Sequence, residues 1–279
     1  MNFLLIGKGS WSHNYIKTVN KHPKAHLSLH IGARKVIEDA KLNSRHLKEI
    51  IEKYNISIIV LSVTPSSQIK ILKLLLEFNG KIILEKPLFS SHSEKNFFKK
   101  LDSSFTSKIF VNHFHFFSKD FLSFIDKIKS KNLKKIHIYD YGMGPNRDFI
   151  RPIFDWGPHS LGIINYLTKD NVIKNVVKKK SRYGEKWFIS LKANSNIKIK
   201  ILTGNGFSYK KRRIIFYDNF MTKSIFEENQ KETELTPMYT LIDEVIKNFK
   251  NKNNKNIDTY SIAFDSCLSL LEINNYIEN

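Results

Sequence analysis

The sequence predicts an α/β protein of two domains, a doubly wound parallel sheet followed by an α+β domain with a mainly antiparallel sheet. The chain has 279 residues, which is long for a single domain. Its first half alternates apolar strands with helical segments, and its second half contains strands in which apolar residues alternate with lysines. We place the boundary after residue 117. The domains are then 1–117 and 118–279, with final helices that are able to pack back on the first domain.

The first domain is predicted as a succession of strands and helices. The apolar segments with strand character are Asn2–Gly7, His26–Ile31, Ser57–Val63, Lys81–Glu85 and Lys108–Phe114. Segments with helical spacing separate them. Because these strands are almost uninterrupted apolar runs, we expect a parallel sheet that helices cover on both faces.

The second domain has a different pattern. A predicted helix over Phe121–Lys131 leads into strands with a period of two. In the segment Ile197–Leu202, isoleucines alternate with Lys198 and Lys200, which predicts one buried and one wet face and therefore an antiparallel sheet. Two further helices are predicted near the end of the chain, over 237–250 and 258–277.

The formal net charge of +20 raises the question of a nucleic-acid partner. However, 39 of the 46 basic residues are lysines spread along the chain, whereas sites that read bases usually depend on arginine. We interpret the lysines as a solvated surface and predict no specific nucleic-acid partner. A polyanion site and attraction for an anionic substrate are the alternatives.

The cysteine content and the apolar runs restrict the class of protein. The single cysteine, Cys267, excludes an internal disulfide and a cysteine-based metal site, and we assign no metal ligands. No apolar run approaches the roughly 18 residues of a membrane-spanning helix, and the apolar start of the chain is too short for a signal peptide. We expect a cytoplasmic protein without membrane insertion.

A glycine-rich turn, GKGSWS, follows the first strand and opens the first helix. Gly7 permits a tight turn, Gly9 lets the backbone approach a pyrophosphate, and the helix N-terminus offers N–H groups. We predict a dinucleotide site here that includes Ser10 and Trp11. Ser12 occupies the third position of the G-x-G-x-x-G pattern, so the motif is imperfect. The alternative is an ordinary strand–helix turn.

The residues after the second strand favour NADP over NAD. An NAD site usually carries an acidic residue roughly 20 residues past the glycines, but no carboxylate occurs here before Glu38. Arg34 and Lys35 occupy the segment instead and are suited to a 2′-phosphate. The alternative is that both are ordinary surface residues of a basic protein.

Two further segments follow strands at the predicted carboxyl edge of the sheet, where open α/β sheets bind ligands. Thr64 and Pro65 come after the third strand, and Glu85, Lys86 and Pro87 after the fourth. We assign the first four of these residues to the cofactor site. Lys86 is expected near a nicotinamide, in a position to exchange a proton. The simpler interpretation is a lysine that extends from a strand end into water.

Asp155 and His159 are four residues apart in the segment FDWGPHSLGIINYL. In a helix this spacing puts both on one face. Pro158, however, prefers the first helical turn, in which case Asp155 lies in the approach and His159 at the helix start. In either arrangement the carboxylate can orient the histidine for proton transfer. The alternative is a capping aspartate and a core histidine.

In their order along nearly the whole chain, these segments resemble the glucose–fructose oxidoreductase / inositol dehydrogenase (Gfo/Idh/MocA) family. GKGSWS is similar to the family's cofactor turn and VTPSSQ to its T-P segment, although the family often has a histidine where Gln68 stands. LEKPL matches its E-K-P signature, which is the most specific of these motifs, and DWGPH matches its D-x-G-x-H pattern.

The resemblance implies a Rossmann domain and hydride transfer between a nicotinamide and a secondary alcohol or ketone carbon. It implies that Lys86, Asp155 and His159 are catalytic, the last two completing the site from the second domain. His159 would exchange the proton of the substrate oxygen, Lys86 would polarise that oxygen or relay the proton, and Asp155 would orient the site. The family interchanges the lysine and histidine roles, and its Lys–Pro bond at the position of Lys86 is commonly cis.

Narrower features resemble family members found with surface-polysaccharide and sugar-nucleotide genes. These features are VNHFHFFS, YGMGPNRDFIRPIFDWGPH and the short length of the chain. The resemblance suggests a sugar or sugar-nucleotide substrate, with Asn112, His113 and Arg147 as contacts. Arg147 is suited to a phosphate or carboxylate. The alternative is that all three are structural polar residues. A homo-oligomer through the C-terminal sheet is also expected, although the second domain is shorter than is usual in the family.

Other functions remain open at this point. A tightly held NAD could oxidise and re-reduce one substrate, which gives net elimination or epimerisation. A non-catalytic NADP-binding sensor or regulatory protein would have no need for Lys86, Asp155 and His159. A nucleic-acid binder would show steep salt dependence and clustered arginines.

Overall fold

The structure is a computed structural model that describes residues 1–37, 44–168, 170–193, 196–228, 236–251 and 257–278. The chain divides into two compact units. The first consists of Met1–Phe117 with Glu234–Ser261, and the second of Ser118–Thr233 with Ile262–Asn279. The first unit therefore combines the start of the chain with a segment from near its end.

The first unit is built on a five-stranded parallel sheet in the order β2-β1-β3-β4-β5. Its strands are β1 (Asn2–Ile6), β2 (His26–Ile31), β3 (Ile58–Leu61), β4 (Lys81–Leu84) and β5 (Ile109–Val111). The helices between them are α1 (Ser12–Lys21), α2 (Ala33–Ile37), α3 (Ser44–Lys53), α4 (Pro65–Leu74), α5 (His92–Lys99) and α6 (Ser103–Thr106). The predicted parallel sheet is confirmed.

The parallel pairing brings the carboxyl ends of all five strands to one edge of the sheet. The strand interiors are apolar, and Phe3, Leu5, Val60 and Ile83 are at most 1% exposed. In β1, β3 and β4 the residues that follow the apolar interior become polar only where the strand ends and its backbone leaves the sheet. The glycine turn, the Thr64 segment and Glu85–Pro87 therefore all begin at the same edge.

The second unit is built on a six-stranded sheet in the order β11-β10-β6-β9-β8-β7. Its strands are β6 (Leu133–Met143), β7 (Val172–Ser181), β8 (Gly184–Lys192), β9 (Lys198–Gly204), β10 (Gly206–Asp218) and β11 (Lys223–Glu227). Strand β6 pairs with β9 in parallel, and the other pairs are antiparallel. The prediction of a mainly antiparallel sheet is confirmed.

Helices α7 (Lys119–Lys129) and α8 (Pro152–Leu167) pack on one face of this second sheet. Ile199 and Ile201 are buried, whereas Lys198 and Lys200 point to the opposite face and are exposed. This is the alternation that the sequence predicts for one wet face.

The last two helices are α9 (Pro237–Lys250) and α10 (Thr259–Glu278). Helix α9 belongs to the first unit, where its residues Leu241, Ile242, Val245 and Ile246 share one core with β1 and α1. Most of α10 belongs to the second unit. Within the described ranges, none of the helices combines the length and the apolar character that crossing a membrane requires.

Candidate functional site

The turn between β1 and α1 is shaped for a close approach of a ligand to the backbone. Gly7 has φ +130°, and a Cβ at this position would overlap the carbonyl oxygen of Ser62, so that only glycine fits. A Cβ on Gly9, in contrast, would meet no atom within 4 Å. The turn is therefore tight at its first glycine and open at its second.

The turn also offers hydrogen-bond donors to an anion. Among the described residues, the backbone N–H groups of Gly9, Ser10 and Trp11 have no acceptor. Helix α1 has no acidic residue in its first turn, and the buried hydroxyl of Ser12 has no hydrogen-bond partner. Free N–H groups at the start of a helix favour a phosphate. This turn therefore fits the pyrophosphate of a dinucleotide.

The end of β2 lies beside this turn. The Nε2 of His30 is 2.6 Å from the carbonyl oxygen of Gly7 and must donate, because a carbonyl only accepts. Arg34 and Lys35 are exposed in the short helix α2 that follows. Lys8 of the glycine turn lies close to Gly32, with its Cδ 3.7 Å from where a Cβ would be. Three cationic side chains thus occur around the end of β2.

At the end of β3, Thr64 precedes Pro65, which begins α4. The Thr64 hydroxyl donates to the hydroxyl of Ser67 at 3.0 Å. The buried Gln68 donates through Nε2 to the main-chain oxygen of Glu85 at 3.0 Å, and its Oε1 has no partner. Gln68 therefore ties the segment after β3 to the segment after β4.

Glu85 is the centre of the most connected polar cluster of the first unit. Its Oε1 accepts from the Tyr15 hydroxyl at 2.6 Å, from Trp11 Nε1 at 2.7 Å and from Asn112 Nδ2 at 2.9 Å. Burial raises the pKa of the Glu85 carboxyl, and these three donors and the Lys86 charge oppose that rise. Burial, with the negative Glu85 beside it, also raises the pKa of Tyr15, which keeps the phenol protonated as a donor.

Lys86 follows at the mouth of β4. The Lys86–Pro87 peptide bond is cis, as the resemblance leads us to expect. Lys86 is half-buried, and Pro87 is buried with the two residues after it. Burial, together with the positive charge of Lys86, lowers the pKa of His113 to about 3. His113 is therefore neutral at physiological pH, and it lies close enough to Lys86 for the lysine charge to affect its pKa.

Asn112 and His113, predicted to contact substrate, are both buried in the first unit. Asn112 uses its amide nitrogen on Glu85, and its Oδ1 is buried without a hydrogen-bond partner. The described contacts give Asn112 a place in the Glu85 cluster, and its role toward a substrate stays a prediction. The same holds for His113.

Asp155 and His159 lie within one helix of the second unit. Helix α8 begins at Pro152, so Pro158 is inside the helix and Asp155 is in the first turn. The arrangement in which both residues share a face of a helix is therefore the correct one of the two considered. His159 is buried, and Asp155 Oδ2 lies 3.6 Å from Arg147 Nε. Arg147 is partly exposed and neutralises Asp155.

Gly157, between these two residues, lets α8 approach α10. A Cβ on Gly157 would lie 2.7 Å from Leu270 Cδ2. The D-x-G-x-H spacing thus has a packing component as well as a chemical one. The close packing of Gly157 against Leu270 fixes the position of α8, the helix that carries Asp155 and His159.

Sequence reasoning missed several residues that take part in these clusters. Tyr15 and Gln68 both contact Glu85, and Lys8 joins the cations near β2. Tyr15 was recognisable as a polar tip on the buried face of α1, and Gln68 as a polar residue in an apolar helix. A polar group at a buried position needs a hydrogen-bond partner. Such a residue in the sequence therefore indicates a buried polar cluster, but it does not identify the other members.

Comparison with known proteins gives structural similarity at low sequence identity. No protein-family model matches the sequence, and no curated protein matches it either. A Gfo/Idh/MocA family oxidoreductase from Vibrio cholerae superposes with a TM-score of 0.70 at 12% identity, covering 100% of both chains.

Two further solved structures are similar to this chain. The aldose-aldose oxidoreductase from Caulobacter crescentus, complexed with glycerol, gives a TM-score of 0.75 at 12% identity and covers 99% of this chain and 96% of its own. GenD2 from gentamicin A biosynthesis, in complex with NAD, gives 0.76 at 11% identity and covers 97% and 92%. The chain therefore has the fold of the Gfo/Idh/MocA oxidoreductases.

Proposed function

We propose that this protein is an NAD(P)-dependent oxidoreductase that acts on a secondary alcohol or ketone of a sugar or sugar nucleotide. One observation carries the proposal: the edge of the parallel sheet combines Glu85 and Lys86 with a glycine turn that presents free backbone N–H groups. The free N–H groups of the turn after β1 supply the anion site. Lys86 supplies a proton donor at the end of β4, which is two strands away from β1 in the sheet. The fold shared with dehydrogenases supports the same activity.

The proposed cofactor residues divide between the two ends of the dinucleotide. Gly7, Gly9, Ser10 and Trp11 would hold the pyrophosphate. Thr64, Pro65, Glu85 and Lys86 would surround the remainder at the carboxyl edge of the sheet. The bound nicotinamide supplies a hydride acceptor or donor at its C4. The Glu85 cluster supports this assignment, because it ties Trp11 of the turn to the residue next to Lys86.

We propose NADP as the preferred cofactor. Arg34, Lys35 and Lys8 around the end of β2 are three cations and would attract a 2′-phosphate. Between residues 31 and 37 no carboxylate occurs that could accept from a ribose 2′-hydroxyl. One structural neighbour was solved with NAD, so the experiment below compares the two cofactors directly.

The catalytic roles are proposed from the resemblance together with the local chemistry. His159 exchanges the proton of the substrate oxygen, Lys86 polarises that oxygen or relays the proton, and Asp155 orients the site. The combination of Lys86 with Asp155 and His159 rests on the resemblance alone. The ion pair with Arg147 supports the orienting role, because it restrains the position of the Asp155 side chain at the start of α8.

A sugar-type substrate is supported by the name of one structural neighbour, an aldose-aldose oxidoreductase. Asn112, His113 and Arg147 remain the proposed substrate contacts. Arg147 is the best placed of these, because it is partly exposed and can share its guanidinium between Asp155 and a substrate anion. A cytoplasmic location and a homo-oligomer through the C-terminal sheet also remain predictions.

Titration of the purified protein with NADPH and with NADH, followed by nicotinamide fluorescence, tests the proposal. We expect tighter binding of NADPH, and a loss of about tenfold or more when Arg34→Ala removes one cation from the 2′-phosphate site. Arg45→Ala is the matched control, because Arg45 is an exposed arginine of α3 that pairs with Glu49.

The turnover arm uses sugars and sugar nucleotides with Lys86→Met and His159→Asn. Cofactor binding by these variants without turnover would assign both residues to the chemistry. If neither cofactor binds to the intact protein, the proposed function is wrong. Tight binding without turnover of any secondary alcohol would favour the sensor instead.

A further inference from the structure

The loop between β6 and α8, residues 144–151, is anchored on both sides of an exposed tip. Toward its end, Ile150 is 8% exposed, and its backbone N–H donates to the carbonyl oxygen of Arg147 at 3.3 Å. This bond closes a four-residue turn with Asp148 and Phe149 at its tip. The turn therefore fixes the order in which these side chains are presented to solvent.

The start of the loop is held by Asn205, which is 1% exposed. Its Oδ1 accepts the backbone N–H of Glu185 at 3.0 Å, so its Nδ2 is the group that faces the loop. This Nδ2 donates to Oδ1 of Asn146 at 2.8 Å, and Asn146 is exposed. Among the described contacts, Nδ2 of Asn146 has no protein acceptor. The loop therefore offers an oriented N–H donor at its surface.

Arg147 presents its guanidinium from the same loop. Its side chain is 45% exposed, and its Nε lies 3.6 Å from Asp155 Oδ2. Among the described contacts, its two terminal nitrogens have no protein acceptor. A guanidinium that keeps these nitrogens toward solvent can hold a phosphate by two parallel hydrogen bonds. Asn146 and Arg147 together supply a neutral donor and a cation to an anion at this surface.

Phe149 lies at the tip of the turn and is 58% exposed. The ring contacts described for the second unit do not include it. A single exposed phenylalanine is common and by itself indicates nothing. Here, however, the ring belongs to an anchored turn and follows Arg147, which is suited to a phosphate, by two residues. An aromatic face combined with a phosphate site is the arrangement that binds a nucleotide by stacking on its base.

Asp148 stands between these two residues and is an exposed carboxylate. A phosphate placed directly on it would be repelled, but a carboxylate accepts hydrogen bonds from the hydroxyl groups of a ribose. Along the turn the chain thus offers an aromatic ring, an acceptor and then anion-binding donors. A nucleoside diphosphate presents its base, ribose and diphosphate in the same order. A free sugar or a sugar phosphate leaves the ring of Phe149 without a partner.

We propose that this loop binds the nucleoside diphosphate part of a nucleotide-linked sugar, and that Phe149 distinguishes such a substrate from a free sugar. Asn146 and Arg147 bind the diphosphate, Asp148 binds the ribose, and Phe149 stacks on the base. The inference rests on the proposed function, because it names the substrate class of that oxidoreductase. The reacting carbon belongs to the sugar beyond the diphosphate, so Phe149 determines specificity and takes no part in proton exchange.

Isothermal titration calorimetry of the full chain tests the proposal. NADPH is present in excess, so that the proposed cofactor turn in the first unit is not available to the probes. The probes are UDP, ADP and GDP, and the ligands without a base are a hexose phosphate (glucose 1-phosphate) and inorganic pyrophosphate. We expect at least one nucleotide to bind about tenfold or more tightly than either ligand without a base.

Four variants separate the ring from the charge. Phe149→Ser is expected to weaken nucleotide binding about tenfold and to leave the binding of inorganic pyrophosphate unchanged, whereas Phe149→Tyr keeps the ring and should bind like the parent. Arg147→Lys keeps the charge but loses the paired hydrogen bonds, so it should weaken the binding of both. Phe220→Ser is the matched control, because Phe220 is 91% exposed in the turn between β10 and β11. It is expected to bind like the parent.

Turnover gives a readout that a merely structural role of Phe149 would not produce. With a nucleotide-linked sugar that the parent converts, Phe149→Ser is expected to raise KM about tenfold and to leave kcat unchanged. The reason is that the base is bound equally in the ground state and in the transition state. Circular dichroism verifies folding, which is expected because Arg147, Phe149 and Phe220 are all exposed.

The inference is overturned if NADPH binds but none of the three nucleotides does, or if Phe149→Ser and Phe220→Ser change nucleotide binding equally. It is also overturned if Phe149→Ser leaves nucleotide binding unchanged but dissociates an oligomer in sedimentation velocity, because a second copy then covers the ring. If neither NADPH nor NADH binds while a nucleotide binds in a manner that depends on Phe149, the nucleotide site stands and the proposed function is the part that fails.

Discussion

Replacing Tyr15 by phenylalanine removes one donor from the Glu85 cluster and leaves the packing intact. Tyr15 is 1% exposed and contributes to the core of the first unit, so its ring has to stay. The variant Tyr15→Phe keeps that ring and deletes only the hydroxyl that donates to Glu85 Oε1 at 2.6 Å. No other described contact of the cluster needs to change.

The expected loss follows from the charge of the acceptor. A hydrogen bond to an ionised group contributes about 1.5–3 kcal/mol to stability. Glu85 Oε1 retains Trp11 and Asn112 as donors, so the carboxylate is not left bare. We therefore expect the lower end of the range, a decrease of about 1.5 kcal/mol in the free energy of unfolding at pH 7.

The loss is expected to depend on pH. Burial already raises the pKa of Glu85 in the folded protein, so ionised Glu85 opposes folding and stability falls as the pH rises through its folded pKa. The Tyr15 hydroxyl lowers that pKa, and deleting it raises the pKa further. The difference between the variant and the parent should therefore be larger at pH 8 than at pH 5.

Urea denaturation at several pH values, followed by circular dichroism, measures this difference. The control is Tyr276→Phe, because Tyr276 is 46% exposed and its hydroxyl makes only a long bond of 3.4 Å. We expect the control to change stability by less than about 0.5 kcal/mol. An unchanged midpoint for Tyr15→Phe, or a loss that is the same at pH 5 and pH 8, would refute the charge-based account of the cluster.

Three other substitutions probe separate features. Gly7→Ala should lower the free energy of unfolding by about 2 kcal/mol or more in thermal melts, because Gly7 has a positive φ and an added Cβ would overlap a carbonyl oxygen. Gly9→Ala should melt like the parent, because its Cβ meets no atom, but it should bind NADPH more weakly. Gly157→Ala should cost about 1–3 kcal/mol by overpacking against Leu270. Leu270 is itself buried, so the double variant with Leu270→Ala should be less stable than the parent but should lose less than the sum of the two single losses. The pKa of His113 is about 3 in the folded protein, below the ordinary value of 6.5 that it has in the unfolded chain. Neutral His113 therefore contributes to the free energy of unfolding above pH 6.5, and this contribution is lost as the pH falls toward 3. In urea titrations at several pH values, His113→Gln should show a smaller loss of stability on the acid side than the parent.

The sheets were predictable because each strand type has a distinct pattern. Uninterrupted apolar strands such as Ile58–Leu61 require cover on both faces, and the alternation of Ile199 and Ile201 with lysines requires one wet face. The short helices α2 and α6 were not predicted. They have 5 and 4 residues, which is too few for a helical period to be visible.

The candidate site was predictable where its residues follow strands and less so where they meet through side chains. Glycine and proline mark the strand ends directly. The partners of Glu85 are up to 74 positions away in sequence, and only the fold brings them together. For α8 the sequence left open whether Pro158 begins the helix. The helix begins at Pro152 instead, and Pro158 lies inside it. The pairing of Arg147 with Asp155 depends on the conformation of the loop between β6 and α8, which the spacing of apolar residues in the sequence does not predict.

The position of α9 has a consequence for how the protein is made. The core of the first unit includes Leu241, Ile242, Val245 and Ile246, which contact a framework completed by residue 117. During synthesis the parallel sheet emerges well before this helix, with an apolar surface still uncovered. A nascent chain would therefore wait for more than a hundred further residues before its first sheet is sealed, and a fragment ended at residue 117 should be prone to aggregation. Supplying residues 236–251 as a separate peptide should restore part of its solubility.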